Sequence, residues 1–206
     1  MTLPALVIGI SLFALALTGL EKAMDRKLIK NFLLSFLQNF TGGLFIFSGV
    51  VKAVDPLGTA YKMEQYFAEF ETTFAGTKAA FLAPTFPALA EYAIAFSVFM
   101  IVFEIVLGIA LLNGAMMKFA SWAFFLMVLF FTFLTGFTYL TGYVPEGVNF
   151  FQFGQWGDYE STSMKVTDCG CFGDFLKLEP RVSFLKDVFL LIPAFVFLFS
   201  TKSFHT

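Results

Sequence analysis

The sequence predicts an all-α membrane protein: a four-helix transmembrane bundle, an extra N-terminal transmembrane helix and an outer-surface amphipathic helix. Three observations lead there. Hydrophobic residues make up 58% of the chain and charged residues 14%, with a mean hydropathy of +0.80, whereas soluble domains carry about 25% charged residues. Five apolar runs, at 3–20, 32–54, 88–112, 119–141 and 183–200, are long enough to cross a bilayer. Between the second and third lies a stretch whose apolar and charged residues separate at helical spacing. The 206 residues form a single membrane domain, 1–206, with no linker, repeat or low-complexity segment. A net charge of −2 gives no basis for binding nucleic acid, so membrane lipid is the first partner.

The run at 3–20 lacks the basic segment that precedes a secretory signal core, and the first charge is Glu21. It therefore reads as an uncleaved helix, with a signal peptide as the alternative. Lys22, Arg26, Lys27 and Lys30 follow closely and mark the cytoplasmic side. In the span 32–54, Ser35, Gly42 and Gly49 recur every seventh position and open one face to close approach by another helix. Asn39 and Thr41 lie beside that face as interhelical hydrogen-bond candidates. Lys52, near the end of the span, is expected to snorkel to the headgroups. Asp55-Pro56 reads as an N-cap followed by proline at the first helical position.

Residues 56–74 read as a surface helix. Met63, Phe67, Phe70 and Phe74 share a face, with Tyr66 beside them, and Lys62, Glu64, Gln65, Glu69 and Glu71 fill the other. Such a helix lies in the membrane interface, either as a simple anchor or as a lid over the mouth of the bundle. In the span 88–112, Glu104 sits about four residues past the midpoint, roughly 6 Å by the helical rise. At that depth a carboxylate must be paired, protonated or hydrated. Glu104 is thus expected to face the interior, either with a functional role or as one interhelical hydrogen bond. Asn113-Gly114 predicts a tight turn into the span 119–141.

The long loop 142–182 begins with Phe150, Phe151, Phe153 and Trp156, expected to dip into the interface. It then carries Asp168-Cys169-Gly170-Cys171-Phe172-Gly173-Asp174, which holds the two cysteines of the chain. A disulfide between residues i and i+2 requires the backbone to turn, because an extended chain holds the Cα atoms near the limit of about 7 Å. Gly170 can make that turn with a positive φ. A redox-active pair, Cys169 and Cys171, is one reading and a structural staple the other. Two thiolates fall short of the four ligands of a structural zinc site, so no metal is expected. Asp168 and Asp174 disfavour thiolates electrostatically, and Lys165 and Lys177 would offset them if they fold nearby. Phe172-Gly173 is expected to form a turn that seats Phe172 against the bundle. The last span, 183–200, carries Lys186 and Asp187 in its first turn, where the helix dipole favours Asp187. Five spans place both long loops opposite the basic cluster. The expected location is therefore the bacterial inner membrane, multi-pass, with the cysteines on the oxidising periplasmic side.

Phe47-Ser48-Gly49-Val50-Val51-Lys52 with Asp55-Pro56 resembles the first core span of the DoxX family, and Cys169-Gly170-Cys171-Phe172-Gly173 resembles the signature loop of the related MauE family. The resemblance covers residues 32–200 as four core helices and leaves the run at 3–20 outside. It implies a redox-associated membrane bundle working beside thioredoxin-like periplasmic or membrane proteins, with quinone as a possible cofactor and none required by the residues. Two functions follow. One is a membrane thiol–disulfide electron carrier exchanging through Cys169 and Cys171 with a thioredoxin-like partner or quinone. The other is a non-enzymatic subunit that anchors a partner complex.

Overall fold

The computed structural model describes residues 2–24, 31–160, 164, 166, 170 and 172–200, without the side chain of Asp174. Among them all regular structure is helical: α1 (Leu3–Met24), α2 (Phe32–Val54), α3 (Pro56–Ala75), α4 (Thr85–Ala90), α5 (Ala93–Leu112), α6 (Met117–Thr141) and α7 (Pro180–Phe199), with short 3₁₀ turns between them. Helices α1, α2, α5, α6 and α7 are each long and apolar enough to cross a membrane, which makes this a multi-pass membrane protein.

The helix ends follow local chemistry. Asn31 caps α2, its side chain accepting from the amides of Leu33 and Leu34 at 3.1 and 3.3 Å. Asp55 caps α3 through Oδ1, 3.0 Å from the Gly58 amide, with Pro56 in the first turn. The span expected at 88–112 is shorter: α4 ends at Ala90, and α5 begins only at Ala93. The last span is longer than expected, because Pro180 opens α7 three residues before Ser183.

Helix α2 packs on α1 and α5, α6 packs on α7, and α5 touches α6. The face of α2 with small residues receives α5. A Cβ built on Gly108 would lie 2.7 Å from the Gly42 carbonyl oxygen, 2.7 Å from Ile46 Cγ1 and 2.9 Å from the Ile46 amide nitrogen, so Gly108 lets the α2 backbone approach closely. Gly49 instead makes room for the Ile105 side chain, whose Cγ1 would lie 2.6 Å from a Cβ built there. At the end of α5, Gln38 Nε2 donates at 2.7 Å to the Leu111 carbonyl, which also accepts from the Gly114 amide at 3.2 Å.

Helix α3 is not a free-lying anchor. It packs on α5, and it buries Thr59, Ala60, Met63, Tyr66, Phe70 and Thr73. Tyr66 is 2% exposed, and its hydroxyl meets that of Thr138 on α6 at 2.7 Å. Phe70 sits edge-on to Phe137 at 4.9 Å. The apolar stripe is therefore centred on Tyr66 and Phe70, with Phe67 and Phe74 at its margin. The aromatic loop after α6 joins this cluster. Phe150 packs on Phe137 and Trp156, and the Trp156 indole donates to the Phe150 carbonyl, while Phe151 and Phe153 stay exposed.

The glycine contacts predict an asymmetry. Gly108→Ala should cost about 1–3 kcal/mol through overpacking against backbone. Gly19→Ala, with nothing within 4 Å of the new Cβ, should be neutral or gain about 0.5–1 kcal/mol in helix propensity. Unfolding in detergent micelles reads both.

Candidate functional site

The loops 55–92 and 142–179 meet at one end of the helices, the loop face. Gly170 lies against α3 there: a Cβ built on it would stand 3.2 Å from Lys62 Cγ. Gly170 has φ +59° and Gly173 φ +53°, and the Gly173 amide donates to the Gly170 carbonyl at 3.1 Å. Both glycines occupy the left-handed region that other residues enter only with strain. The expected turn at Gly170 and the seating of Phe172 are present. Phe172 is 2% exposed and packs on Phe47. Asp168, Cys169, Cys171 and the side chain of Asp174 lie outside the described residues.

Beneath Phe172 lie two buried ion pairs. Lys52 Nζ donates to Glu104 Oε1 at 2.6 Å, and Ser48 Oγ lies 3.3 Å from Oε2. On α7, Lys186 donates to Asp187 Oδ1, and Thr135 Oγ1 lies 3.0 Å from Oδ2. The Thr135 hydroxyl is also 2.9 Å from the Phe131 carbonyl, so its single proton serves one acceptor at a time. Each ammonium also faces an aromatic ring. Lys52 is 4.6 Å from the Phe131 centroid, and Lys186 is 5.6 Å from that of Phe172, both within cation–π range. Ser48, Lys52, Glu104, Phe172, Lys186 and Asp187 border one small cavity.

This geometry corrects the expectation for Lys52. It does not snorkel to the headgroups, and its side chain is 4% exposed. Because α5 starts at Ala93, Glu104 falls within about two residues of the middle of that helix, roughly 3 Å. In the antiparallel register set by Gly42 opposite Gly108, Glu104 lies about six residues, roughly 9 Å, deeper than the level of Lys52. Side chains on a helix lean toward its N-terminus. On α2 that direction leads inward from Lys52, and on α5 it leads toward the loop face from Glu104, so the two converge. Glu104 faces the interior, as expected, and it is paired. Asp187 is likewise no surface dipole partner: it is 1% exposed and held by Lys186 and Thr135.

Asn39 takes no part in this cluster. Its Nδ2 donates to Thr18 Oγ1 at 3.0 Å and to Glu21 Oε2 at 3.1 Å, tying α1 to α2 near the opposite face. The loop beside the site holds a phenol group. Tyr143 is raised above the ordinary tyrosine range chiefly by its hydrogen bond with Tyr139, and Tyr159 by partial burial, then by Tyr139 and Glu179. Both therefore stay neutral through the physiological range.

Among known protein families, curated proteins and solved structures, the chain finds no match. The resemblance to the DoxX and MauE families therefore rests on its motif residues alone.

The ion pair predicts strong coupling. Lys52→Met alone should destabilise the protein by about 3–5 kcal/mol, because it leaves Glu104 buried without its partner. Lys52→Met combined with Glu104→Met should recover most of that loss. Glu104→Gln, which still offers Lys52 a carbonyl acceptor, should keep the fold at reduced stability. A double-mutant cycle on unfolding in micelles checks all three.

Proposed function

We propose that the protein is a membrane thiol–disulfide electron carrier, with Cys169 and Cys171 as its exchanging pair. The observation that carries this reading is the turn at Gly170. A turned residue between two cysteines brings their Cα atoms closer than an extended chain does, Gly170 has the positive φ of such a turn, and the Gly170–Gly173 hydrogen bond and buried Phe172 support it. In the four-helix reading, α2, α5, α6 and α7 form the bundle and α1 is the addition. In this reading the loop face is periplasmic, because Lys22 at the end of α1 and Lys118 at the start of α6 lie at the other end, in an inner membrane.

The chemistry is a two-electron exchange. A partner thiolate attacks one sulfur of the Cys169–Cys171 disulfide, and the other leaves as a thiolate and takes up a proton. The partner's second thiolate then attacks the mixed disulfide. The products are the Cys169/Cys171 dithiol and an oxidised partner, and the reverse course returns the electrons. A periplasmic thioredoxin-like protein fits as that partner. A quinone is the other acceptor class: a cavity of about 200 Å³ bordered by Thr59, Lys62, Gly170 and Gly173 exceeds the ~150 Å³ that accommodates benzene.

The test is capture. Cys169→Ser and Cys171→Ser should behave differently in cells, one accumulating a mixed disulfide with a partner and the other inert, because one thiol attacks and the other resolves. Both should insert normally. If neither captures a partner and both weaken the fold equally and modestly, as loss of so short a cross-link would, the pair is a staple. The anchoring-subunit reading then takes its place.

A further inference from the structure

The ion pairs are buried, yet a run of small cavities leads to them. The innermost, about 20 Å³, touches Ser48, Lys52, Glu104, Lys186 and Asp187. A second, also about 20 Å³, lies on the loop side and shares Lys52 and Phe131 with the first. The third, about 200 Å³, opens at the loop face and shares Thr59, Lys62 and Gly170 with the second. Below the innermost cavity the lining is apolar: Leu44, Phe45, Val128 and Leu190.

The polar atoms favour hydration. A cavity needs about 10–15 Å³ and two to four polar partners to hold a water, and both inner cavities meet this. Thr59 Oγ1, on a residue 7% exposed, is buried without a hydrogen-bond partner, and such groups are rarely left unsatisfied. It stands at the junction of the second and third cavities. The Lys52 ammonium has three donor hydrogens, and Glu104 accepts one.

We propose that these cavities hold a file of water entering from the loop face past Thr59 and ending at the Lys52–Glu104 and Lys186–Asp187 pairs. The ligand class is water and, through it, the exchangeable proton. The apolar floor closes the file toward the opposite face, so the buried charges are hydrated from one side only. This inference does not depend on the chemistry of the cysteines, and partner capture and hydration fail independently.

Hydroxyl-radical footprinting tests it on the native chain in lipid nanodiscs, with synchrotron pulses, mass spectrometry and ¹⁸O-labelled bulk water. Met63 and Phe45 border the inner cavities. Met127 and Phe197 are buried at least as fully, at 4% and 0% exposure against 8% and 5%, and line none of the three. A hydrated file oxidises Met63 and Phe45 about tenfold faster than their same-type references, with ¹⁸O incorporated, since only a watered site generates radical locally. Thr59→Val should bring Met63 down to the Met127 rate without lowering the unfolding midpoint. Equal rates at Met63 and Met127, and at Phe45 and Phe197, in the native chain mean dry cavities and overturn the proposal. Unchanged Met63 labelling in a folded Thr59→Val protein overturns the Thr59 route.

Discussion

The attraction between Lys52 and Glu104 is the constraint around which the helices are arranged. An ionised carboxylate near the middle of a membrane helix is tolerated when an opposite charge and hydrogen bonds take the place of water. Supplying that charge from α2 requires α2 and α5 to run close together, and the glycine contacts at Gly42, Gly49 and Gly108 provide the closeness. The second pair, on α7, completes a neutral cluster of two cations and two carboxylates. Phe172 then covers the cluster with an aromatic face that also receives the Lys186 charge. The Phe172–Gly173 turn is thereby tied to the charged interior through one buried side chain.

Much of this was legible in the chain. Long apolar runs report spans directly, because the bilayer sets a minimum length. The seven-residue spacing of Ser35, Gly42 and Gly49 foretold a close helix contact, and α5 makes it. Gly170 announced a turn because so few residues accept its backbone conformation. The N-cap at Asp55 was equally direct, since the cap is a local interaction complete within four residues.

The charged cluster was harder to read because its members are distant in sequence, and single positions near helix ends look like ordinary interfacial anchors. Lys52 is two residues from the end of α2, where an outward lysine is the default. The signal that redirects it is the lean of side chains toward the helix N-terminus, combined with a carboxylate on an antiparallel neighbour one to two turns deeper. Asp187 was hidden similarly: its helix begins at Pro180, so it lies in the second turn and not the first. The expected α3 stripe ran through Met63, Phe67, Phe70 and Phe74 with Tyr66 beside it, whereas the buried face runs through Met63, Tyr66, Phe70 and Thr73. A buried hydroxyl partner, Thr138, lets the whole Tyr66 ring enter the core.

The attachment of α1 bears on how the chain is made. Apart from a stripe through Leu6, Ile10, Ala14 and Thr18, α1 is largely exposed, with Ile8, Leu12, Phe13 and Leu20 all facing outward. Lipid offers those residues as good an environment as another helix does. Helix α1, made before α2, therefore gains little from packing until Asn39 follows it into the membrane. The amide of Asn39 then finds Thr18 and Glu21, and a polar group entering hydrocarbon has a partner already waiting. On this view α1 is a pre-inserted docking rail: it receives the next segment during synthesis and leaves the later helices to close the charged interior.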